Sequence, residues 1–306
     1  MTTTLITGIA GGLAQRVAAM LLEDGEGVAG VDYRETTGID AYPVYRASYD
    51  KTAIEDVFRK VSPKRVLHLG RVGNLSEPIE KRFEINVIGS QKLMRLCVQH
   101  GVEVLVVLST FHIYGAHPRN HVPISEDDPL RAGTSFPEIA DAIQLDNMAS
   151  TWIYKHPSVR TVVLRPTNVV GPNITNTMSK VLRRRRIPAL AGYNPMTQFV
   201  HEDDLARAVI AAVRGKERGV YNIAGPSVLP WRTALEITET QVVPMPSILI
   251  ERYVRTFSRL PAYLIRFFKY PCVITDAAFR RDFGWESRVD ITETLRSAVD
   301  RRPPSR

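Results

Sequence analysis

Short apolar runs recur along the first 170 residues and alternate with longer amphipathic segments. Strands that are apolar on both faces are typical of a parallel sheet covered by helices. We predict such strands at 4–7, 27–32, 65–69, 102–109 and 160–165. We predict helices from a glycine-rich turn to about residue 24, and near 51–61, 78–100 and 135–156. Strands alternating with helices predict βαβ units and a doubly wound parallel α/β sheet.

The pattern becomes irregular after residue 172, where proline and glycine interrupt it repeatedly. Helical segments are clear only near 203–214 and 275–282, and no internal repeat is found. We therefore expect a smaller C-terminal part of different construction.

The composition is that of a globular protein, with 44% hydrophobic and 24% charged residues among 306. It excludes wholesale disorder, collagen-like repetition and a coiled-coil rod. Two cysteines, Cys97 and Cys272, exclude a disulfide framework and a cysteine zinc site, so we expect a reducing, cytoplasmic location and no metal. No run approaches about 18 apolar residues, and the first residues do not have the pattern of a signal peptide. A net charge of +8 favours anionic partners without choosing among them.

A glycine-rich turn lies directly between the first predicted strand and its helix. Gly8 permits a tight turn, Gly11 lets a pyrophosphate approach the backbone, and Ala14 is small enough for close packing of helix and strand. Asp32 ends the next strand, where it can accept hydrogen bonds from ribose hydroxyls and would repel a 2′-phosphate. The turn therefore predicts NAD as cofactor, and NADP less so, although Arg34 weakens that preference. A structural turn followed by a chance aspartate is the alternative. The predicted cofactor-binding residues of the turn are Gly8, Ile9, Ala10, Gly11, Gly12 and Leu13.

Several further motifs make the chain resemble the extended short-chain dehydrogenase/reductase superfamily. They are the segments 68–70, 86–90, 108–115, 164–172, 198–206, 221–225 and 283–285. The chain is similar over nearly its whole length to the NAD-dependent epimerase/dehydratase family, in particular to a UDP-glucose 4-epimerase-like subgroup. The resemblance implies a Rossmann domain over 1–172 that also receives elements from about 197–225. It places a substrate-binding lobe mainly in 173–306.

The resemblance also implies site residues outside the turn. Further cofactor contacts are expected at Leu69, Gly70, Asn86, Ser109, Pro166, Thr167 and Asn168. Substrate contacts are expected at Arg71, Asn168 and Arg183. The family's diphosphate-binding arginine has no counterpart at 196–198, so a UDP sugar is a doubtful substrate.

The chain departs from the family at its catalytic pair. The family uses a Tyr followed four residues later by a Lys, whose charge lowers the phenol pKa. None of the eleven tyrosines here has such a Lys. The best register puts Glu138 at the Tyr position and Ala142 at the Lys position, and another register puts Phe136 and Ala140 there.

Two hypotheses follow for the function. In the first, the protein is an epimerase- or dehydrogenase-like enzyme in which His112 or Glu138 is the base and Thr110 orients the substrate. His112 can equally be a packed strand-end histidine, and Glu138 a solvated acid at a helix start. In the second, the protein is a catalytically degenerate NAD-binding regulator or scaffold.

Two basic segments stand outside these motifs. Arg183 to Arg186 form either a solvated helix end or a clamp for an anionic substrate. Residues 246–269 mix apolar side chains with arginines at roughly helical spacing, as in a helix on an anionic membrane, a pocket cap, a dimer face or a plain core helix. The substrate remains an unidentified small molecule and a homodimer is possible. No specific nucleic acid is expected, because no recognised motif accompanies the charge.

Overall fold

The computed structural model describes residues 3–49, 51–73, 77–250, 252 and 263–302. Its strands are β1 (Thr3–Thr7), β2 (Gly27–Asp32), β3 (Val44–Arg46), β4 (Arg65–His68), β5 (Val104–Leu108), β6 (Arg160–Pro166), β7 (Asn168–Val170), β8 (Arg186–Leu190), β9 (Met196–His201), β10 (Gly219–Ile223), β11 (Val228–Pro230) and β12 (Gln241–Met245).

The helices separate these strands. They are α1 (Gly12–Glu23), α2 (Ala53–Val61), α3 (Ile79–Phe83), α4 (Ser90–Gln99), α5 (Ala140–Lys155), α6 (Thr177–Leu182), α7 (Glu202–Arg214) and α8 (Trp231–Ile237), followed by helices at Leu264–Phe267, Ala277–Phe283 and Ile291–Val299. A π-helical stretch, Glu84–Gly89, joins α3 to α4. Short 3₁₀ helices lie at Phe111–Tyr114, Arg131–Thr134 and Pro137–Ile139.

The main sheet has seven parallel strands in the order β10-β6-β5-β4-β1-β2-β3. Chain order reverses between β1 and β4, so the strand ends there form the crevice where ligands bind in such folds. The predicted doubly wound α/β fold is confirmed. The predicted strands agree with the observed ones to within a few residues, because all of them are continuous apolar runs.

Helices cover both faces of this sheet. Successive side chains of a strand point to opposite faces, so Ile6 packs with α1 and α7 while Leu5 packs with α2, α4 and α5. Both side chains are fully buried. This two-sided core holds the carboxyl ends of the strands, and the turns that follow them, in fixed positions.

The C-terminal part adds two small sheets, one of β11-β9-β7 and one of β12-β8. The chain nevertheless returns to the main sheet, where β10 pairs in parallel with β6. Within the C-terminal part, the side chain of Gln198 in β9 accepts the backbone N–H of Ile274 at 2.9 Å and donates to its C=O at 3.0 Å. The two parts are thus interleaved along the chain.

The basic apolar segment at 246–269 is described only in part, since residues 251 and 253–262 lie outside the described residues. At its end Tyr263, Leu264 and Ile265 are buried and Arg266 is exposed. This end packs into the core. Within the described ranges, no helix combines the length and the hydropathy needed to cross a bilayer.

Candidate active site

In the glycine turn after β1, the backbone at Gly8 lies very close to the backbones at Val31 and Gly70. Gly8 has φ +73° and its N–H donates to Val31 O at 2.9 Å. A Cβ at Gly8 would lie 2.3 Å from Gly70 Cα, so both predicted glycines are required by space. Helix α1 starts after Gly11 with no side-chain cap, which leaves backbone N–H groups of its first turn for an anion. The turn therefore fits a dinucleotide phosphate.

Asp32 faces this turn from the end of β2. Its carboxylate is 1% exposed and accepts hydrogen bonds from the Ala10 N–H at 3.1 Å and the Arg34 N–H at 2.9 Å. The Arg34 guanidinium also donates to Asp32, from Nε and from Nη2 at 3.2 Å each. This hydrogen bond raises the pKa of Arg34. Asp32 thus has the position predicted for a ribose contact, with a half-exposed cation beside it.

A cavity of about 270 Å³ extends from α1 to the carboxyl ends of β5 and β6. Of the predicted residues, its lining includes Leu13, Arg71, Ser109, Thr110, His112, Pro166, Thr167 and Asn168. The cavity thus reaches the first turn of α1 at Leu13, whereas Gly8 to Gly12 and Asp32 do not line it. Asn86, Glu138 and Arg183 are not part of its lining.

Thr110 and His112 form a hydrogen-bonded pair in this cavity. Thr110 Oγ1 is 2.9 Å from His112 Nδ1 and also accepts the His112 backbone N–H at 3.4 Å. The imidazole packs against Phe111 and Phe267, with ring centroids 4.3 Å and 4.8 Å away. Burial, and then the charge of Arg71, lower the pKa of His112 to about 3. His112 is therefore neutral at pH 7 and a weak general base.

Glu138 lies at the side of the cavity rather than in it. It belongs to the 3₁₀ helix Pro137–Ile139, and its Oε2 is buried without a hydrogen-bond partner. Ala142, one turn further on, does line the cavity. The position matched to the family's Lys therefore presents a methyl group.

The two predicted substrate-binding arginines differ in placement. Arg71 is exposed, lines the cavity and forms no ion pair with the described residues. Arg183 instead donates from Nε to Ala298 O at 2.9 Å and from Nη2 to Gly171 O at 3.2 Å. Its guanidinium ties the last helix to the end of β7. The structure brings Arg71, but not Arg183, to the other predicted site residues.

The chain matches the NAD dependent epimerase/dehydratase family over residues 4–224. It belongs to this family. Among curated relatives, an uncharacterized protein of Mycobacterium tuberculosis is 24% identical over 220 residues, which are 69% of this chain and 58% of the relative. The chain thus spans little more than half of that relative. The UDP-glucuronate 4-epimerase of Thermodesulfobacterium geofontis is 23% identical over 97% of this chain and 94% of its own.

Solved structures show the same fold. The UDP-glucose 4-epimerase of Thermus thermophilus in complex with NAD covers 98% of both chains, with a TM-score of 0.79 at 23% identity. Pal from Bacillus thuringiensis also covers 98% of both chains, with a TM-score of 0.81 at 19% identity. The predicted family and fold are confirmed by these matches.

This member of the epimerase/dehydratase family has a buried ion pair at the cavity that sequence reasoning missed. Arg82 donates from Nη1 to Asp141 Oδ1 at 3.1 Å and from Nη2 to Glu138 O at 2.8 Å. Asn86 Nδ2 donates to Asp141 Oδ2 at 2.6 Å. Both charged side chains are about 4% exposed and line the cavity. In the sequence, the only indication of this ion pair was that Asp141 directly precedes Ala142, the residue matched to the family's Lys.

A second buried network fixes Ser109. Its hydroxyl donates to Asp146 Oδ2 at 2.5 Å, and Arg165 donates to both oxygens of the same carboxylate, at 2.6 Å and 3.0 Å. The hydroxyl hydrogen of Ser109 is therefore used in the bond to Asp146 on α5. Elsewhere in the described ranges, no three His, Cys, Asp or Glu side chains converge as a metal site.

Proposed function

We propose that the protein binds NAD at the glycine turn and catalyses reversible oxidation of a secondary alcohol in a small molecule, as an epimerase- or dehydrogenase-like enzyme. The observation that carries this proposal is one cavity lined both by Leu13, in the first turn of α1 after the glycine turn, and by Thr110 and His112. Bound NAD would supply the acceptor and donor of a hydride. The similarity to a UDP-glucuronate 4-epimerase and to a UDP-glucose 4-epimerase makes UDP sugars the first substrates to test, although the chain has no counterpart of the family's diphosphate-binding arginine at 196–198.

The chain's own residues have separable tasks in this proposal. Backbone N–H groups at the start of α1 bind the dinucleotide phosphates, and Asp32 accepts hydrogen bonds from a ribose. Thr110 hydrogen-bonds the substrate oxygen. Neutral His112, 2.9 Å from Thr110 Oγ1, orients that hydroxyl and accepts the alcohol proton by way of Thr110, as a weak base because its pKa is lowered.

A second candidate function is NAD binding without turnover, in a regulatory or scaffolding protein. It is favoured by the state of the two predicted bases. The pKa of His112 is lowered to about 3, and Glu138 does not line the cavity. Neither side chain is therefore placed as an efficient base near neutral pH.

The first experiment identifies the cofactor and then the reaction. The purified protein is denatured, released nucleotides are identified by mass spectrometry, and the apo protein is titrated with NAD and NADP. We expect NAD to bind more tightly, and a panel that begins with UDP-glucose and UDP-glucuronate to give NADH absorbance or an epimer. Binding of neither dinucleotide would contradict the proposal, and binding without reaction across the panel would favour the second candidate.

Substitution of Thr110 tests its task. We expect Thr110→Ala to lower turnover by about 10²-fold, the usual loss for one donor to a reacting oxygen, while the Kd for NAD is unchanged. Thr151→Ala, at an exposed threonine on α5, is the matched control. Equal turnover in the two variants would remove Thr110 from the mechanism.

A further inference from the structure

Tyr263 brings a phenol into the cavity from the C-terminal part of the chain. Its side chain is buried and lines the same cavity as Ser109, Thr110 and Ala142. The ring lies edge-on to His112, with centroids 6.1 Å apart, and against Phe136 at 5.5 Å. Its hydroxyl forms no hydrogen bond with the described residues. A phenol that needed only to pack here would do so equally well as a phenyl ring.

The electrostatic surroundings of this phenol are mixed. Burial raises the pKa of Tyr263, and the charges that act on it are those of Arg71, Glu138, Arg82 and Asp141. Arg71 and Arg82 favour the ionised form, whereas the two carboxylates oppose it. Tyr263 therefore stays protonated and has a hydrogen to donate.

Arg82 has an unused donor at the same cavity. Its Nη1 and Nη2 are occupied by Asp141 and by the Glu138 carbonyl, but its Nε is buried with no partner. A buried N–H without an acceptor is costly, so few persist in folded proteins. Because Arg82 lines the cavity, an oxygen of a bound ligand can satisfy it.

We propose that Tyr263 and Arg82 together bind the reacting oxygen of the substrate, a carbonyl or hydroxyl oxygen, as two donors brought from separate parts of the chain. This inference rests on the proposed function. It places a phenol and a cation in the cavity although no Tyr-x-x-x-Lys motif occurs in the chain. Asp141 and Asn86 are positioning residues, because Asp141 holds the guanidinium and Asn86 holds Asp141.

The test uses the full chain with its tyrosines labelled with ¹³C at Cζ, observed by NMR while UDP-glucose or UDP-glucuronate is added to the NAD⁺-loaded protein. Loss of one resonance in Tyr263→Phe assigns Tyr263, and Tyr270→Phe assigns a neighbouring tyrosine that does not line the cavity. Binding is followed separately by calorimetry. We expect the sugar nucleotide to shift the Tyr263 resonance and to leave that of Tyr270 in place.

Turnover supplies the second readout. With any substrate that reduces bound NAD⁺, we expect Tyr263→Phe and Arg82→Lys each to lower kcat by at least about 10-fold with an unchanged Kd for NAD⁺, and Tyr263→Phe to leave the Tm unchanged. Arg82→Lys keeps the charge beside Asp141 but removes Nε–H. Arg65→Lys, in the ion pair with Glu26 away from the cavity, is its control.

The outcomes separate the two proposals. If a sugar nucleotide binds to the NAD⁺-loaded protein and the Tyr263 resonance does not move, the inference is overturned while the proposed function stands. An unchanged kcat in Tyr263→Phe would overturn it as well. If calorimetry shows no dinucleotide binding, the proposed function fails, and this inference fails with it.

Discussion

A methyl group at position 8 would meet main chain, not a movable side chain. Gly8 (φ +73°) and Gly38 (φ +74°) share one left-handed backbone conformation, but nothing lies within 4 Å of a Cβ built on Gly38. Comparing Gly8→Ala with Gly38→Ala therefore separates the free-energy cost of the backbone conformation from the cost of the steric clash. The clash is with the backbone of Gly70, and the shape of the turn depends on the close approach of the Gly8 and Gly70 backbones.

We expect Gly8→Ala to lower the free energy of unfolding by about 1–3 kcal/mol more than Gly38→Ala, because overpacking against fixed backbone adds to strain that the two share. Gly8→Ala should also lose NAD affinity, which Gly38→Ala should keep. Urea unfolding and calorimetric titration of both variants measure the two effects. Equal losses of stability would show that the backbone around Gly70 moves aside.

Single residues were predictable where a local motif defines them. Gly8, Gly11 and Asp32 are separated by short, fixed intervals around one turn, and the structure places them together. Tyr263 and Arg82 were not predicted as a pair, since 181 positions separate them in the chain and no local spacing encodes their contact with one cavity. These polar side chains of the cavity come together only in the tertiary structure.

Among the elements, the helical run from α3 to α4 is the one that most directly serves the cavity. It was predicted as one helix at 78–100, and it is continuous, but Glu84–Gly89 adopts π-helical geometry. Such widened turns occur often at functional sites. Here the side chain of Asn86 bonds Val72 N at 2.8 Å, Val72 O at 3.1 Å and Asp141 at 2.6 Å.

We expect Asn86→Asp to destabilise the protein more at pH 8 than at pH 5. The new carboxylate would face that of Asp141, and two close carboxylates resist joint ionisation, so protonation at low pH relieves the repulsion. The control is Asn147→Asp, at an exposed position on α5. Urea unfolding at the two pH values decides, and an equal loss at both would mean that Arg82 compensates the added charge.

Several strands escaped prediction for reasons of length and chemistry. β3, β7 and β11 have three residues each, too few to show a period. β8, β11 and β12 contain Pro188, Pro230 and Pro244, and a proline argues against a central strand. All three are edge strands of the small sheets, where a missing N–H is tolerated. β1, β2, β4, β5 and β6 were predictable because the apolar run within each of them indicates burial on both faces of a sheet.

At the scale of the whole molecule, two histidines, the buried His68 and the partly buried His112, make stability depend on acid. Burial lowers the pKa of His68 to about 4 and is the larger cause of the pKa of about 3 at His112. His68 lies between Thr7 Oγ1 at 2.8 Å and Ser90 Oγ at 2.7 Å. Both therefore bind fewer protons in the folded chain than in the unfolded chain below their ordinary pKa of about 6.5.

We expect the free energy of unfolding to fall as pH drops from about 6.5 to 4, because the unfolded state takes up these protons and the folded state does not. Each histidine contributes up to about 1.4 kcal/mol per pH unit to that slope. His112→Gln should remove the contribution of His112 to this pH dependence, which urea unfolding measures across the same pH range. The control is His121→Gln, at an exposed histidine. Identical slopes in both variants would show that His112 is protonated within the fold.

The return of the chain to the main sheet also has a consequence for folding during synthesis on the ribosome. β6 ends at Pro166, but its partner β10 begins only at Gly219, roughly 50 residues later, after most of the small sheets. Synthesis proceeds at about 5–20 residues per second, so β6 would wait some seconds as an open edge on the ribosome. An unpaired apolar edge is a template for pairing with another chain. A nascent chain stalled between these strands should therefore be the form of this protein most dependent on chaperones.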